Sequence, residues 1–147
     1  MNLAWLGSGE PVAAAQLAAG HDLPASYLNK QLQRLVKAGL LESVPGALGG
    51  FRLTRPLEAV SVLDVVLAIE GNEPLFRCME IRRCGTVGER CPDGVFTRAC
   101  AVKMAMGRAE AAWRKVLAEQ SLADVQAGAE MHAPAMAVHV RQVLGRN

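Results

Sequence analysis

Apolar residues with helical spacing mark the first part of the chain. Residues 1–6 have the composition of the end of a helix, which Gly7-Ser8-Gly9 would break, and Pro11 suits the first turn of a second helix that stops at Gly20. A third helix is predicted from Pro24 to about Gly39. Its apolar side chains return every three or four residues, at Leu28, Leu32, Leu35 and Val36. Two helices joined by a tight turn predict a helix-turn-helix.

The residues that follow alternate between apolar and polar as strands do. Residues 40–44 and 50–54 predict two short strands, which the glycine-rich turn at 45–49 joins into a hairpin. A hairpin in this position is a wing, and the order helix, turn, helix, wing is typical of DNA-binding heads. Arg52 and Arg55 lie where they can pair with phosphate oxygens. The alternative is an ordinary hairpin whose arginines are solvated.

Four further helices are predicted, three of them from capping boxes or apolar spacing. Ser61 and Asp64 form the first box, in front of a helix that ends at Gly71, and Ser121 and Asp124 form a second box that opens a short helix. Between them a long helix is predicted from Ala101 to about Gln120. Its apolar seam consists of Val102, Ala105, Ala109, Ala112 and Val116. A seam of small residues suits two antiparallel helices at a dimer interface; the alternative is packing within one chain. Residues 131–144 predict a last, loosely attached helix.

Taken together, the elements predict a mainly α fold: a winged helix-turn-helix head with a two-stranded wing, plus a long dimerisation helix. The predicted domains are a DNA-binding domain at 1–71, a cysteine-bearing loop at 72–100, and the dimerisation helix with a helical tail at 101–147. A chain of 147 residues with 51% hydrophobic content can bury one core of ordinary size. The net charge of +2 is too small to indicate nucleic-acid binding by itself. No apolar run reaches about 18 residues and no signal peptide is evident, which favours a cytoplasmic protein without membrane contact.

All four cysteines lie between positions 78 and 100, separated by five, six and eight residues. This spacing does not fit a zinc finger or ribbon, whose cysteines are paired two to four residues apart. In a reducing cytosol, clustered cysteines indicate metal ligands or redox sensors rather than structural disulfides. Iron–sulfur sites tolerate looser spacing on a flexible loop, and Gly85, Gly88 and Gly94 would supply the flexibility. Neighbouring arginines would lower thiol pKa values or offset the charge of a thiolate-bound cluster.

Three segments together resemble bacterial winged-helix regulators of the IscR and NsrR type, the Rrf-two family. They are the stretch Pro-Ala-Ser-Tyr-Leu-Asn-Lys that opens the third helix, the run Gly-Gly-Phe-Arg-Leu at the wing, and the helix from Val65 to Gly71. The resemblance implies a homodimer whose second helix reads the major groove of a palindromic operator while the wing enters the minor groove. It implies a transcription regulator, most simply a repressor. The predicted DNA-binding residues are Ser26, Tyr27, Lys30, Gln33, Arg34, Gly49, Gly50 and Arg52.

The same resemblance implies an iron–sulfur cluster whose state changes DNA binding. The predicted ligands are Cys78, Cys91 and Cys100, with Cys84 as a further candidate, and a 2Fe-2S cluster is favoured over a 4Fe-4S cluster. The opening Cys-Met-Glu-Ile-Arg at Cys78 is similar to redox-sensing members. Relatives begin with a longer first helix, which in some members donates a ligand, so this chain is expected to be shortened there. His21 is a candidate nitrogen ligand, although a histidine in a turn is commonly a surface residue.

Two other functions fit some of these features. One is a repressor with a metal-free thiol switch, and the other is an iron–sulfur electron-transfer protein with an incidental helical head. The chain has no glycine-rich nucleotide motif after a strand and no pairing of a nucleophile with a base, which argues against an enzyme.

Overall fold

The computed structural model describes residues 1–6, 9–92 and 94–145. They form two compact units: Met1–Gly71 together with Leu117–Asn147, called the head here, and Asn72–Val116, called the cysteine unit. The helix break predicted at Gly7-Ser8 lies outside the described residues.

The head has the predicted order of elements, a helical domain with a two-stranded antiparallel wing. Its elements up to Gly71 are α1 (Asn2–Leu6), α2 (Ala14–Ala19), α3 (Ala25–Lys37), β1 (Leu41–Val44), β2 (Gly50–Leu53) and α4 (Val62–Glu70). A single 3₁₀ turn, Leu57–Ala59, lies between the wing and α4. Leu41 pairs with Leu53 and Val44 with Gly50 in the wing. The predicted fold class is confirmed.

The second helix begins later than predicted, because its first residues pair with the wing. Val12 and Phe51 exchange two backbone hydrogen bonds, of 3.0 and 2.9 Å, so residues 11–12 are extended and α2 starts at Ala14. This pairing brings the chain against Gly50, where a Cβ atom would lie 2.3 Å from the Val12 carbonyl carbon. The φ of Gly50 is +151°, which side chains rarely adopt. Glycine is therefore required at this position by the fold.

The C-terminal part of the chain returns to the head through the two capping boxes. Both boxes form as predicted, at Ser61 with Asp64 and at Ser121 with Asp124. They lie side by side, since the Val62 amide donates to the Gln120 carbonyl (2.9 Å) and the Leu122 amide to the Val60 carbonyl (2.8 Å). The helix that follows, α7 in the numbering below, spans Leu122–His132.

The last helix spans Met136–Leu144 and is part of the core, so the prediction of a loosely attached tail is wrong. Its apolar face, Ala137, Val140 and Leu144, is buried in the same cluster as Trp5 and Leu17. Polar contacts accompany this packing: Gln16 Nε2 donates to the Leu144 carbonyl (2.6 Å), and Arg141 Nη1 donates to the Trp5 carbonyl (3.3 Å). The sequence predicted the helix but did not show which surface it would cover.

The cysteine unit contains a 3₁₀ turn at Ile81–Arg83, α5 (Gly85–Glu89) and most of α6 (Ala101–Glu119); the two helices after α6 are α7 and α8 (Met136–Leu144). Arg114 of α6 holds the start of the unit, donating to Glu110 Oε1 and to Asn72 Oδ1 at 2.8 and 2.7 Å. Within α6, which is described along its whole length, no residue is buried. In the described part of the chain no helix has both the length and the apolarity needed to cross a lipid bilayer.

Candidate DNA-binding surface and cysteine site

The helix α3 presents a polar face to solvent. Leu32 anchors its other face in the core, at 6% exposure. Four of the predicted DNA-binding side chains are exposed together along this helix: Ser26, Tyr27, Lys30 and Gln33. Tyr27, at 54% exposure, lies in the first turn, where the resemblance expects contacts to base edges. The face thus has the donors, acceptors and aromatic ring that base and phosphate contacts use.

Arg34 lies near the end of α3 and contacts α4. Its Nη1 donates to the Ile69 carbonyl at 2.8 Å and to Gln31 Oε1 at 3.2 Å. The last carbonyls of a helix lack partners within the helix, so this guanidinium satisfies one of them at the end of α4. Arg34 therefore connects α3 to α4, a contact that its sequence position did not reveal.

The wing has a tight tip and a charged pair on its strands. A Cβ atom at Gly49 would lie 2.1 Å from the Val44 carbonyl oxygen, so the turn requires glycine there as well. Arg52 Nε contacts Glu42 Oε1 at 2.6 Å, and both side chains are nearly half exposed (45% and 46%). Glu42 is the cross-strand partner of Arg52 in the register of the wing. The partner of Arg52 was missed because the sequence does not state the register.

All four cysteines are described and none forms a disulfide. Cys100 directly precedes α6, and hydrogen bonds from the backbone amides of Lys103 and Val102 lower the pKa of its thiol. The positive charge of Arg82 lowers this pKa further, while burial and the Glu80 carboxylate oppose the shift. The start of α6 therefore favours the thiolate form of Cys100.

Glu80 lies among the cysteines. Cys78 Sγ is 3.9 Å from Glu80 Oε1, and Cys84 Sγ is 4.0 Å from the Glu80 carbonyl oxygen. A hydrogen bond from Arg82 is the main reason that the pKa of the Glu80 carboxyl is lowered. The backbone of Glu80 is left-handed, at φ +51°, which is uncommon for a residue other than glycine. Cys91 lies apart from this contact set, in a groove that Arg83 and Phe96 also line.

The donor chemistry of this unit suits a metal or cluster, because it offers four thiols, a lowered pKa at Cys100 and several arginines. The geometry is not that of a preassembled site. Within residues 1–6, 9–92 and 94–145, no three side chains of His, Cys, Asp or Glu gather closely enough to hold a metal ion. His21 belongs to the head, where its Nε2 lies 2.5 Å from Asn2 Nδ2.

A model of the Rrf2 family, described as iron-dependent transcriptional regulators, matches residues 1–128. The chain belongs to the Rrf2 family. Its assignment to a family of regulators confirms the expectation that it is not an enzyme. The Rrf2 match includes the head up to α7 and the whole cysteine unit.

Individual proteins agree with the Rrf2 assignment. A putative HTH-type regulator, YwgB of Bacillus subtilis, is 35% identical over 100 residues, which are 68% of this chain and 59% of YwgB. The protein rrf2 of Nitratidesulfovibrio vulgaris is 31% identical over 131 residues, 89% of this chain and 81% of that protein. The structure of CymR, the global cysteine regulator of B. subtilis, superposes with a TM-score of 0.62 at 24% identity and covers 84% of this chain and 83% of CymR. That likeness supports the fold.

Proposed function

We propose that this Rrf2-family chain is a homodimeric, cytoplasmic repressor whose affinity for a palindromic operator is set by the state of Cys78, Cys84, Cys91 and Cys100. The observation that carries the proposal is the placement of all four thiols in the cysteine unit. This unit interrupts the head in sequence, between Gly71 and Leu117. It is thus covalently joined to the head at both of its ends, so a change in its structure has two connections through which to act.

DNA recognition is assigned to α3 and the wing. The exposed side chains of α3 would enter the major groove, and the wing tip with Gly49, Gly50 and Arg52 would approach the minor groove. Close backbone approach at the tip is sterically possible because the turn carries no side chain at either glycine. Arg52 must exchange its ion pair with Glu42 for a phosphate oxygen.

Dimerisation is assigned to α6. Its apolar side chains are exposed in the single chain, including Val102 (58%), Trp113 (36%) and Val116 (62%). Apolar stripes of this length on a soluble surface mark interaction sites. A second copy of α6 is the natural partner, because alanines on the seam allow two antiparallel helices to approach closely about a two-fold axis.

The sensing group is assigned as an iron–sulfur cluster, with 2Fe-2S favoured. Cys78, Cys91 and Cys100 would hold it, with Cys84 as the further candidate ligand, and the arginines of the unit would offset the negative charge of the thiolates. When bound, such a cluster supplies a metal centre that responds to redox conditions or to iron supply. The chain's own residues position the thiols, and Cys100 is held at the end of α6 that favours a thiolate.

A metal-free thiol switch is the second candidate. One observation favours it: the described side chains do not form a ready three-ligand site, whereas Cys100 has the lowered pKa of a reactive thiol. In this case oxidation of the thiols would change the cysteine unit without any metal.

Anaerobic purification followed by iron and sulfide analysis and visible absorbance distinguishes the two candidates. Under the cluster proposal the protein is coloured, with iron and sulfide in equal amounts, and the colour is lost in a Cys78→Ser/Cys100→Ser variant. A colourless, iron-free protein whose operator affinity still changes with a thiol oxidant would establish the second candidate instead. Equal operator affinity in both states would refute cysteine sensing altogether.

A further inference from the structure

Four residues of the cysteine unit connect the two ends of the segment that carries the cysteines. They are Glu80, Arg82, Arg83 and Phe96, and we call them the clasp. Arg82 Nη2 donates to the Arg98 carbonyl at 2.6 Å, and Arg83 Nη2 donates to the Phe96 carbonyl at 2.8 Å. The residues between these two contact points form a loop that contains Cys84 and Cys91.

The clasp combines ionic, hydrogen-bonding and aromatic contacts. Glu80 Oε2 lies 2.9 Å from Arg82 Nε and 3.8 Å from Arg83 Nε. Both guanidinium carbons also lie over the Phe96 ring, 5.2 and 5.8 Å from its centroid. The side chains of Arg82 and Glu80 are only 27% and 35% exposed. A partly shielded network of this kind holds its geometry better than an isolated surface pair.

We propose that the clasp holds Cys78 and Cys100 together as a two-thiol site. Each cysteine adjoins the clasp: Cys78 Sγ lies 3.9 Å from Glu80 Oε1, and Cys100 follows Arg98, whose carbonyl Arg82 holds, by two residues. Without the clasp, the two cysteines would be the ends of a flexible 23-residue segment.

The clasp residues are positioning residues, since they contact the cysteines and their neighbours rather than any ligand. The left-handed backbone of Glu80 fits this role, because a conformation that is uncommon for such a residue persists only where its surroundings fix it. This proposal extends the proposed function. It rests on that function only for what the two thiols are used for. It assigns Cys78 and Cys100 as the pair that first takes up a thiophilic ion or cluster.

The test measures the proximity of the two thiols without iron or DNA. In a Cys84→Ser/Cys91→Ser background, dibromobimane can cross-link only Cys78 with Cys100, and intact mass identifies the product. Monobromobimane measures the intrinsic reactivity of each thiol. The ratio of the two rates therefore reports proximity separately from any change in thiol pKa.

We expect Arg82→Gln to lower this ratio at least about threefold, since an open segment reduces the effective concentration of one thiol near the other. Arg82→Lys keeps a positive charge and a hydrogen-bond donor at this position, so it should retain much of the ratio. The matched control is Arg90→Gln, which removes the same charge from an exposed arginine of the same unit that is not part of the clasp. This control should leave the ratio unchanged.

Two results would overturn the clasp. One is an unchanged ratio in Arg82→Gln; the other is an equal fall in Arg82→Gln and Arg90→Gln, which would reduce the effect to net charge. Circular dichroism of each variant checks that its helices are intact. Arg83→Gln, which breaks the other contact of the clasp, to the Phe96 carbonyl, should also lower the ratio and gives an independent answer if Arg82→Gln misfolds. Because neither DNA nor iron is present in this test, failure of the clasp proposal would not refute the proposed regulator. In the same way, finding that the regulator binds no cluster would not refute the clasp.

Discussion

Replacing Glu42 by glutamine should strengthen operator binding. In the free protein Arg52 forms an ion pair with Glu42, with 2.6 Å between Nε and Oε1. A phosphate contact from Arg52 must first break this pair. The glutamine keeps the size of the side chain and removes its charge, so Arg52 is released and one negative charge disappears from the surface proposed to face DNA.

The size of the effect follows from the exposure of the pair. Both side chains are nearly half exposed, at 45% and 46%, and exposed ion pairs contribute between about 0 and 1 kcal/mol. The gain per wing is therefore at most about fivefold in affinity. Because Arg52 would contact the same phosphate with or without Glu42, the slope of log K against log salt should stay the same in Glu42→Gln and become shallower by about one for each wing in Arg52→Ala.

Fluorescence anisotropy with a labelled operator duplex, titrated over a series of salt concentrations, measures both quantities. The double-mutant cycle with Arg52→Ala is the control, since Glu42→Gln should give a smaller gain when Arg52 is absent. An equal gain in the Arg52→Ala background would mean that only net charge matters. Unchanged or weaker binding by Glu42→Gln in the wild-type background would refute the role given to Arg52.

Three further predictions concern stability and assembly. Leu144→Ala should lower the free energy of unfolding by about 2–4 kcal/mol, because it opens a cavity beside Gly20 in the core. Val143→Ala, on the exposed face of the same helix, should lower it by less than about 0.5 kcal/mol. Urea denaturation followed by Trp5 fluorescence in a Trp113→Phe background measures both, and equal losses would contradict the packing of α8. The pKa of Asp124 is lowered chiefly by the Ser121 hydroxyl, and that of Glu130 chiefly by Gln126 and then by Trp5. Because the folded pKa values lie below the unfolded ones, these contacts stabilise the folded chain at a pH above the unfolded values. Their contribution is lost as the pH falls below about 4. The urea midpoint should therefore fall with acid, less so in Glu130→Gln, and a midpoint insensitive to pH would argue against these contacts. Ala109→Arg, on the seam of α6, should convert the proposed dimer to a monomer in analytical ultracentrifugation while leaving the far-ultraviolet spectrum unchanged. A dimer that persists in this variant would exclude the seam.

Local features of the head were predictable because they depend on neighbouring residues. The apolar stripe of α3 gave its buried anchor Leu32, and both capping boxes formed at the serines that the sequence indicated. The wing followed from two alternating segments around a glycine-rich turn. Each of these signals has a range of a few residues, within which spacing determines geometry.

Contacts between distant segments were not predictable in the same way. The pairing of Val12 with Phe51 uses backbone groups that every residue carries, so nothing in the sequence identifies the two partners. The docking of α8 depends on the complementary surface of α1, which amphipathic spacing does not reveal. In the cysteine unit, sequence predicted the thiols and the arginines, but the role of Phe96 as the ring beneath two arginines required the folded chain.

The proposed control of operator affinity by the state of the cysteines can be tested on a single anaerobic preparation, in its reduced and oxidised states. The operator dissociation constant is determined before and after mild oxidation at fixed salt, beside a variant in which Cys78, Cys84, Cys91 and Cys100 are all serine. We expect the dissociation constant to change about tenfold, within the range of ordinary allosteric coupling, and to stay the same in the serine variant. The same dissociation constant for the wild-type chain in both states would contradict it.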